Sequence, residues 1–255
     1  MKPETEKKVK HIMIEIVGQW NTAICYTNQL EQQAAEQIRA VCNQRAFADS
    51  KIRIMPDVHA GKGCTIGTTM TIDDKVVPNM VGVDIGCGMY TVNLGKVDID
   101  LEKFDEAAHT IPCGRNVWEG RQERFDLTRL RCYRSLKDTK RLERSLGTLG
   151  GGNHFIEIDV DEDGNKYIVI HSGSRNLGTQ VAEFYQKIAV DLNLGKEDYY
   201  KQREEIIRTY KEQGRRSEIQ ATLKALEKDF ETKAPSMPRE LCFLYGTFME
   251  DYLHD

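Results

Sequence analysis

The chain has 255 residues, of which 40% are hydrophobic and 30% charged, and its 40 acidic and 36 basic residues give a formal net charge of -4. This composition is too apolar for a globally disordered protein and too charged for a membrane bundle, and no apolar run approaches the roughly 18 residues of a membrane span. The seven cysteines are scattered without a Cys-x-x-Cys pair, and the first ten residues contain no apolar signal segment. We therefore expect a cytoplasmic protein with no membrane association, whose cysteines are free or bound to metal.

The N-terminal part predicts one helix followed by short strands. Asn28 and Glu31 have the spacing of a capping box, and apolar residues then recur at helical intervals, so residues 28–44 are predicted to be helical. From residue 51 onward, β-branched runs alternate with Gly, Pro and Asp, which is typical of strands joined by tight loops. The predicted strands are residues 52–54, 68–72, 81–83 and 90–94.

The middle of the chain combines a basic stretch with a hairpin and a helix. Residues 115–144 contain ten Lys or Arg against five Asp or Glu, which indicates either a solvated helical face or a surface that faces a polyanion. Two strand-like runs, residues 155–160 and 167–170, flank the turn sequence Asp-Glu-Asp-Gly-Asn and predict a β-hairpin. Apolar residues at helical spacing then predict a helix over residues 179–192.

The next region is rich in charges of both signs. Residues 196–233 contain ten Lys or Arg and nine Asp or Glu, and apolar residues from Ile219 to Phe230 step at helical intervals. With Gly214 as the break, this segment predicts a charged insert that projects as a helical hairpin. We expect a single domain over residues 1–255.

Metal-capable side chains are concentrated among glycines. Asp84 and Cys87 lie three residues apart in a glycine-rich stretch that permits a tight turn; the alternative for this cysteine is a buried structural role. With the hairpin turn centred on residue 163, His154 lies opposite residue 172, beside His171, so both imidazoles meet at the open end of the hairpin. The four side chains together suit Mn, Fe, Co or Zn. The predicted fold class is α+β, with mixed or antiparallel sheets around this site and helices covering them.

Other groups suit phosphate binding or proton transfer. Glycines of residues 147–152 predict an anion-binding nest, and Ser172, Ser174 and Arg175 precede a predicted helix whose N-terminus favours a phosphate. Asp57 and His59 are candidates for acid–base chemistry or for orienting RNA. The alternative for this pair is a turn-capping aspartate and a surface histidine.

Four segments together resemble the signatures of the RtcB-type RNA-splicing ligases, in that family's order. They are Met-Pro-Asp-Val-His-Ala-Gly-Lys-Gly (55–63), Val-Gly-Val-Asp-Ile-Gly-Cys-Gly-Met (81–89), Gly-Gly-Gly-Asn-His-Phe-Ile-Glu (150–157) and His-Ser-Gly-Ser-Arg-Asn-Leu-Gly (171–178). The resemblance spans residues 51–255 apart from the charged insert. It implies a GTP-dependent ligase of tRNA splicing and RNA repair that uses two Mn²⁺ ions. Such enzymes join an RNA 3′-phosphate or 2′,3′-cyclic phosphate end to a 5′-hydroxyl end, in tRNA-like or broken RNA.

The resemblance also implies roles for the metal-capable residues. Asp84, Cys87 and His154 are expected to hold one ion. Cys87 is expected to bridge to a second ion, with His171 as a further ligand.

For the remaining motif residues the implied roles concern nucleotide and RNA. Asp57 matches an active-site aspartate of the family, and Arg175 is expected to contact phosphate. The residues expected to line the nucleotide site are Asn153, His154, Phe155, Ile156 and Glu157.

One departure from the family pattern limits the expected activity. Family members are longer, and their guanylate-accepting histidine lies in a C-terminal part, where this chain offers only His254 in a motif that does not match. We expect that the chain lacks that part and does not complete ligation alone. One alternative is a metal-dependent module that binds RNA ends or nucleotides without turnover. Another is a metallohydrolase, or a Cys/His enzyme with Cys87 as nucleophile.

Overall fold

A computed structural model describes residues 13–229 and 237–255. Contacts divide the chain into two compact units. The first takes its described residues from Met1–Met80 and Gln186–Met249, and the second consists of Val81–Tyr185 and Glu250–Asp255. The α+β prediction, with mixed and antiparallel sheets, is confirmed. In the described ranges, no helix is both long enough and apolar enough to cross a bilayer.

The first unit contains a four-stranded mixed sheet of order β1-β2-β3-β4. Its strands are β1 (Ile14–Val17), β2 (Thr22–Cys25), β3 (Ile52–His59) and β4 (Ile66–Met70). Strands β2 and β3 are parallel, and α1 (Gln32–Cys42) lies between them in the sequence. The buried face of α1, with Ala34, Ile38 and Val41, belongs to this unit's buried interior. Each fully buried Ile or Val contributes roughly 1.5–3 kcal/mol.

The start of α1 differs from the prediction. The helix begins at Gln32 rather than at residue 28, and Glu31 is its N-cap without a side-chain capping bond. The hydroxyl of Thr27 both accepts a hydrogen bond from the Gln29 N–H and donates one to the Gln29 carbonyl. This local turn competes with helix geometry, so the predicted capping box of Asn28 and Glu31 is wrong.

The predicted strand at residues 81–83 is also wrong. Val81 is the last residue of the short helix α2 (Pro78–Val81). Proline suits the first position of a helix, and the positive φ of Gly82 (97°) then turns the chain.

Further elements of the first unit surround the charged insert. A two-stranded sheet pairs β5 (Lys75–Val76) with β9 (Leu244–Tyr245). Helices α6 (Glu197–Glu212) and α7 (Ile219–Asp229) contact each other, with Gly214 between them at a φ of 72°. Residues 230–233 of the predicted insert, including Phe230, lie outside the described residues. Helices α5 (Arg175–Asn193) and α8 (Gly246–His254) have residues in both units.

The second unit is built on an antiparallel sheet of order β6-β8-β7. Its strands are β6 (Gly88–Gly95), β7 (Phe155–Val160) and β8 (Lys166–Ser172). Phe155 pairs with His171 and Val160 with Lys166, so the predicted hairpin register is confirmed. The carboxylate of Asp161 accepts hydrogen bonds from the backbone and side chain of Asn165, which closes the turn.

The basic stretch is not the solvated helical face that was one of its two interpretations. Helix α3 (Leu101–His109) precedes it, and only α4 (Thr139–Ser145) is α-helical within it, beside 3-10 turns at Leu127–Arg129 and Tyr133–Ser135. Asp126 accepts a hydrogen bond from the Thr128 N–H. Such side-chain bonds to nearby backbone favour turns over continuous helix.

Candidate metal centre

Strand pairing in the second unit delivers three metal-capable side chains to one end of the sheet. Cys87 immediately precedes β6, His154 immediately precedes β7, and His171 lies near the end of the central strand β8. Gly88 is paired with Ser172, and Phe155 is paired with His171. Because β8 lies between the other two strands, these pairings bring all three residues to the same end of the sheet.

The donor atoms of these residues converge. The Cys87 Sγ lies 2.9 Å from the His171 Nε2 and 3.8 Å from the His154 Nε2, and the three donor atoms all lie within 4.8 Å of one another. Asp84 joins them, since its Oδ2 is 3.2 Å from the His154 Nε2. The structure thus brings together Asp84, Cys87, His154 and His171.

Main-chain carbonyls orient both imidazole rings. The Nδ1 of His154 is 3.0 Å from the Leu149 carbonyl oxygen, and the Nδ1 of His171 is 3.1 Å from the Asn153 carbonyl oxygen. A carbonyl only accepts, so each Nδ1 donates a proton and each neutral ring keeps its lone pair on Nε2. This is the arrangement in which histidines bind metals, with the second nitrogen fixed by a backbone acceptor.

The contact between His154 and Asp84 points to a cation. A neutral His154 directs the Nε2 lone pair at a carboxylate oxygen 3.2 Å away. Two acceptors at this distance repel each other unless a cation, either a proton or a metal ion, lies between them. The His154 side chain is 5% exposed and the Asp84 side chain 46% exposed, so water reaches this contact only from the carboxylate side.

Two glycines make room for the centre. Gly150 has a φ of 102°, and a Cβ there would lie 2.2 Å from the His154 Nδ1 and 2.1 Å from an Arg175 Nη1. A Cβ on Gly173 would lie 2.4 Å from the Asp84 Oδ1. Neither position accepts a side chain without moving a residue of the cluster. Sequence reasoning placed Gly150 in an anion-binding nest rather than in this steric role, and it assigned no role to Gly173 or to the Leu149 carbonyl.

The donor set fits a divalent transition metal. Partial desolvation, followed by the hydrogen bond and charge of the Asp84 carboxylate, raises the pKa of the exposed Cys87 thiol. A bound cation opposes this by favouring the thiolate. Bond lengths of about 2.3 Å to sulfur and 2.0–2.1 Å to nitrogen, at a tetrahedral angle, imply an S···N distance of about 3.6 Å. The Cys87–His154 distance of 3.8 Å is close to this value. The Cys87–His171 distance of 2.9 Å is shorter and has to lengthen on ion binding.

The predicted nucleotide-site residues lie on and beside β7. Asn153 contributes its carbonyl to His171, and the Phe155 ring makes an edge contact with the His171 ring at 5.3 Å between centroids. Ile156 lines a cavity described below, and Glu157 is exposed.

Arg175 is held by hydrogen bonds within the second unit. Its Nε donates to the Thr148 Oγ1 at 3.2 Å, and its Nη2 donates to the Gly114 carbonyl. Arg175 itself begins α5, with a positive φ of 57°.

Asp57 and His59 belong to the first unit. Both are exposed at the end of β3, where the pairing with β4 is irregular, and the His59 Nδ1 donates to the Asp57 carbonyl at 2.9 Å. The metal cluster lies in the second unit.

Comparison with known proteins identifies the family. A family model described as tRNA-splicing ligase RtcB matches residues 37–132 and 122–216, which is more than half of the chain. The chain belongs to the RtcB family. The matched residues include Cys87, His154 and His171.

Curated relatives carry corresponding names. The chain is 35% identical over 169 residues to the RNA-splicing ligase RtcB of Escherichia coli K12, covering 56% of this chain and 41% of the relative. It is 28% identical over 192 residues to the tRNA-splicing ligase RtcB of Aeropyrum pernix, covering 53% and 40%. With that of Thermococcus kodakarensis it shares 29% identity over 199 residues, covering 55% and 40%. The chain spans about two fifths of the length of these relatives.

Proposed function

We propose that this chain provides the metal-binding part of an RNA ligase. The reaction joins an RNA 3′-phosphate or 2′,3′-cyclic phosphate end to a 5′-hydroxyl end and uses GTP and Mn²⁺. The supporting observation is the convergence of the Cys87, His154 and His171 ligand atoms within 4.8 Å of one another, with the Asp84 carboxylate 3.2 Å from the His154 Nε2. A cation held there neutralises negative charge on phosphate oxygens.

Each residue of the cluster has a distinct proposed role. Asp84, Cys87 and His154 hold one ion, and Cys87 bridges to a second ion that His171 also binds. Thiolate and imidazole suit softer ions better than Mn²⁺, so the choice of Mn²⁺ rests on the family. The residues proposed to bind guanylate are Asn153, His154, Phe155, Ile156 and Glu157.

The proposed roles outside the cluster concern the RNA. Arg175 contacts phosphate from the start of α5. Asp57 and His59, on β3, act on the RNA end or orient it.

Metal analysis tests the centre. After dialysis against Mn²⁺ or Zn²⁺, the wild type is expected to retain metal and Cys87→Ala to lose most of it, because the variant lacks the only sulfur of the cluster among the described residues. Cys113→Ala is the matched control, since Cys113 is also free and exposed but lies outside the cluster. Equal metal content in Cys87→Ala and the wild type contradicts the proposed centre.

The positions of two other histidines favour binding without turnover for this chain on its own. His109 contacts Asp105 within α3, and the His254 Nε2 donates to the Arg129 carbonyl at 3.1 Å. Within the described part of the second unit, neither histidine belongs to the metal cluster. The second candidate function is therefore a module that binds metal and RNA 3′-phosphate ends without turnover.

Incubation with GTP and Mn²⁺, followed by denaturation and mass spectrometry, distinguishes the two activities. No covalent protein–GMP adduct is expected. A stable adduct would show that this chain catalyses the first step of ligation and would overturn the binding-only alternative.

A further inference from the structure

The second unit contains a cavity of whose lining residues the proposed function uses only Ile156 and Arg175. Its volume is about 450 Å³, which is within the range of about 300–1,000 Å³ typical of small-ligand sites. Its walls are mostly apolar and include Ile111, Leu142, Ile156, Ile170 and Leu177. An apolar cavity of this size suits a flat, weakly polar group such as a nucleobase.

An aromatic ring and one buried hydroxyl line the same cavity. Phe125 is 49% exposed although it is a large apolar residue, so its ring is available for stacking. The Ser174 Oγ is buried and has no hydrogen-bond partner among the described residues. Phe125 is the accessible group of the two, since the Ser174 Oγ has almost no solvent-accessible surface.

Basic side chains flank the cavity lining in the sequence. Arg124 precedes Phe125, and Arg129 lies two residues after the lining residue Leu127. Both arginines are exposed, and both lower the pKa of Asp126, the acidic residue between them, after that carboxylate's hydrogen bonds with Thr128. Glu123 lies beside Arg124, so these four charges balance locally, and the positive excess belongs to residues 115–144 as a whole, with ten Lys or Arg against five Asp or Glu. The acidic lining residue Glu143 is already paired with Arg121.

We propose that this cavity, with Phe125 and the neighbouring Arg124 and Arg129, binds one unpaired nucleotide of single-stranded RNA. The base stacks on Phe125 inside the cavity, and flanking phosphates contact Arg124 and Arg129. Aromatic stacking combined with a basic groove is the general mode of single-strand binding. This assigns the basic stretch to a polyanion rather than to solvent.

The cavity is adjacent to the metal cluster. Leu149 lines the cavity and its carbonyl accepts the His154 Nδ1 proton, while Ser172 lines the cavity next to His171. A base held in the cavity therefore anchors an RNA strand beside the cluster. The inference rests on the proposed function for its choice of RNA, but the binding it describes requires neither metal nor a terminal phosphate.

Fluorescence anisotropy with an eight-nucleotide RNA ending in a 3′-hydroxyl, in the presence of EDTA, tests the site. Phe125→Ala is expected to weaken binding about 5- to 150-fold without changing the salt dependence, since stacking is not ionic. Phe125→Trp is expected to keep the affinity. Arg124→Ala is expected to reduce the slope of log affinity against log salt by about 0.7, which is the value for one phosphate contact on a single strand.

The control is Arg134→Ala, which removes an exposed charge from the same basic stretch away from the cavity lining. It is expected to leave both the affinity and the slope unchanged. Absence of RNA binding, equal effects of Arg124→Ala and Arg134→Ala, or no effect of Phe125→Ala overturns the inference. Competition by a free nucleoside monophosphate as strong as that by RNA would assign the cavity to a mononucleotide and overturn the RNA assignment.

Cys87→Ala separates the inference from the proposed function. This variant is expected to lose metal but to retain Phe125-dependent RNA binding. If the wild type binds no metal but still binds RNA through Phe125, the metal proposal fails and the cavity proposal stands. If the wild type binds metal but its RNA binding does not depend on Phe125, the cavity proposal fails and the metal proposal stands.

Discussion

A methyl group at Gly150 is expected to disable the metal centre through the His154 ring. The Cβ of an alanine would lie 2.2 Å from the His154 Nδ1, whereas ordinary Cβ contacts begin near 3.4 Å. Restoring that separation requires a relative movement of about 1.2 Å, and the Nδ1 bond to the Leu149 carbonyl, now 3.0 Å, does not survive a shift of that size. Losing such a support of a metal-bound histidine typically lowers metal affinity about 10- to 100-fold.

Isothermal titration with Mn²⁺ or Zn²⁺ measures this loss, and Gly152→Ala provides the control. Gly152 lies in the same loop with a positive φ of 70°, so an alanine there has a comparable backbone cost of about 1–3 kcal/mol. A Cβ on Gly152 meets no atom within 4 Å in the described structure. Gly150→Ala should therefore lose affinity while Gly152→Ala retains it. Equal losses in both variants would refute the steric reasoning.

Further variants test the carboxylate, a helix cap and a buried thiol. Gly173→Ala should also weaken metal binding in the same titration, because its Cβ would displace the Asp84 carboxylate, whereas Gly164→Ala, with open space around its Cβ, should not. Asp138 caps α4 in a left-handed conformation. Asp138→Ala should therefore lower the free energy of unfolding by about 1–3 kcal/mol, and Asp138→Gly by only a few tenths of a kcal/mol. Equal losses of the two variants in urea unfolding would argue against the cap. Burial raises the pKa of the Cys132 thiol to about 12, so the folded state holds this proton more tightly than the unfolded chain. The free energy of unfolding should then fall as pH rises above about 9. Urea unfolding at pH 7 and pH 10 should show a smaller fall for Cys132→Ala than for the wild type. An identical fall in both proteins would exclude this contribution.

The parts of the site that follow local pairing could be predicted from the sequence. The hairpin register could be predicted because the Asp161–Asn165 turn is short and its two flanking strands are adjacent in the chain. The proximity of His154 and His171 followed from that register. Their carbonyl partners could not be predicted, since a backbone oxygen has no side-chain signature.

Predictions failed where a side chain bonds to nearby backbone. The Thr27 hydroxyl holds a turn that delays the first helix, and Asp126 and Asp138 cap short segments within the basic stretch. The composition of that stretch indicates its positive charge but does not predict its irregular backbone conformation. The Gly82 turn likewise interrupted a β-branched run that resembled a strand.

Because β8 is the central strand, its register with both neighbours determines which of its side chains reaches the cluster. Alternate residues of a strand point to opposite faces, so a slip of one position between β8 and its neighbours would present Ile170 or Ser172 where His171 now stands. Backbone hydrogen bonds on both sides of this strand resist such a slip. Alignment of donors that lie 84 positions apart in the chain is therefore enforced by main-chain geometry before any ion arrives.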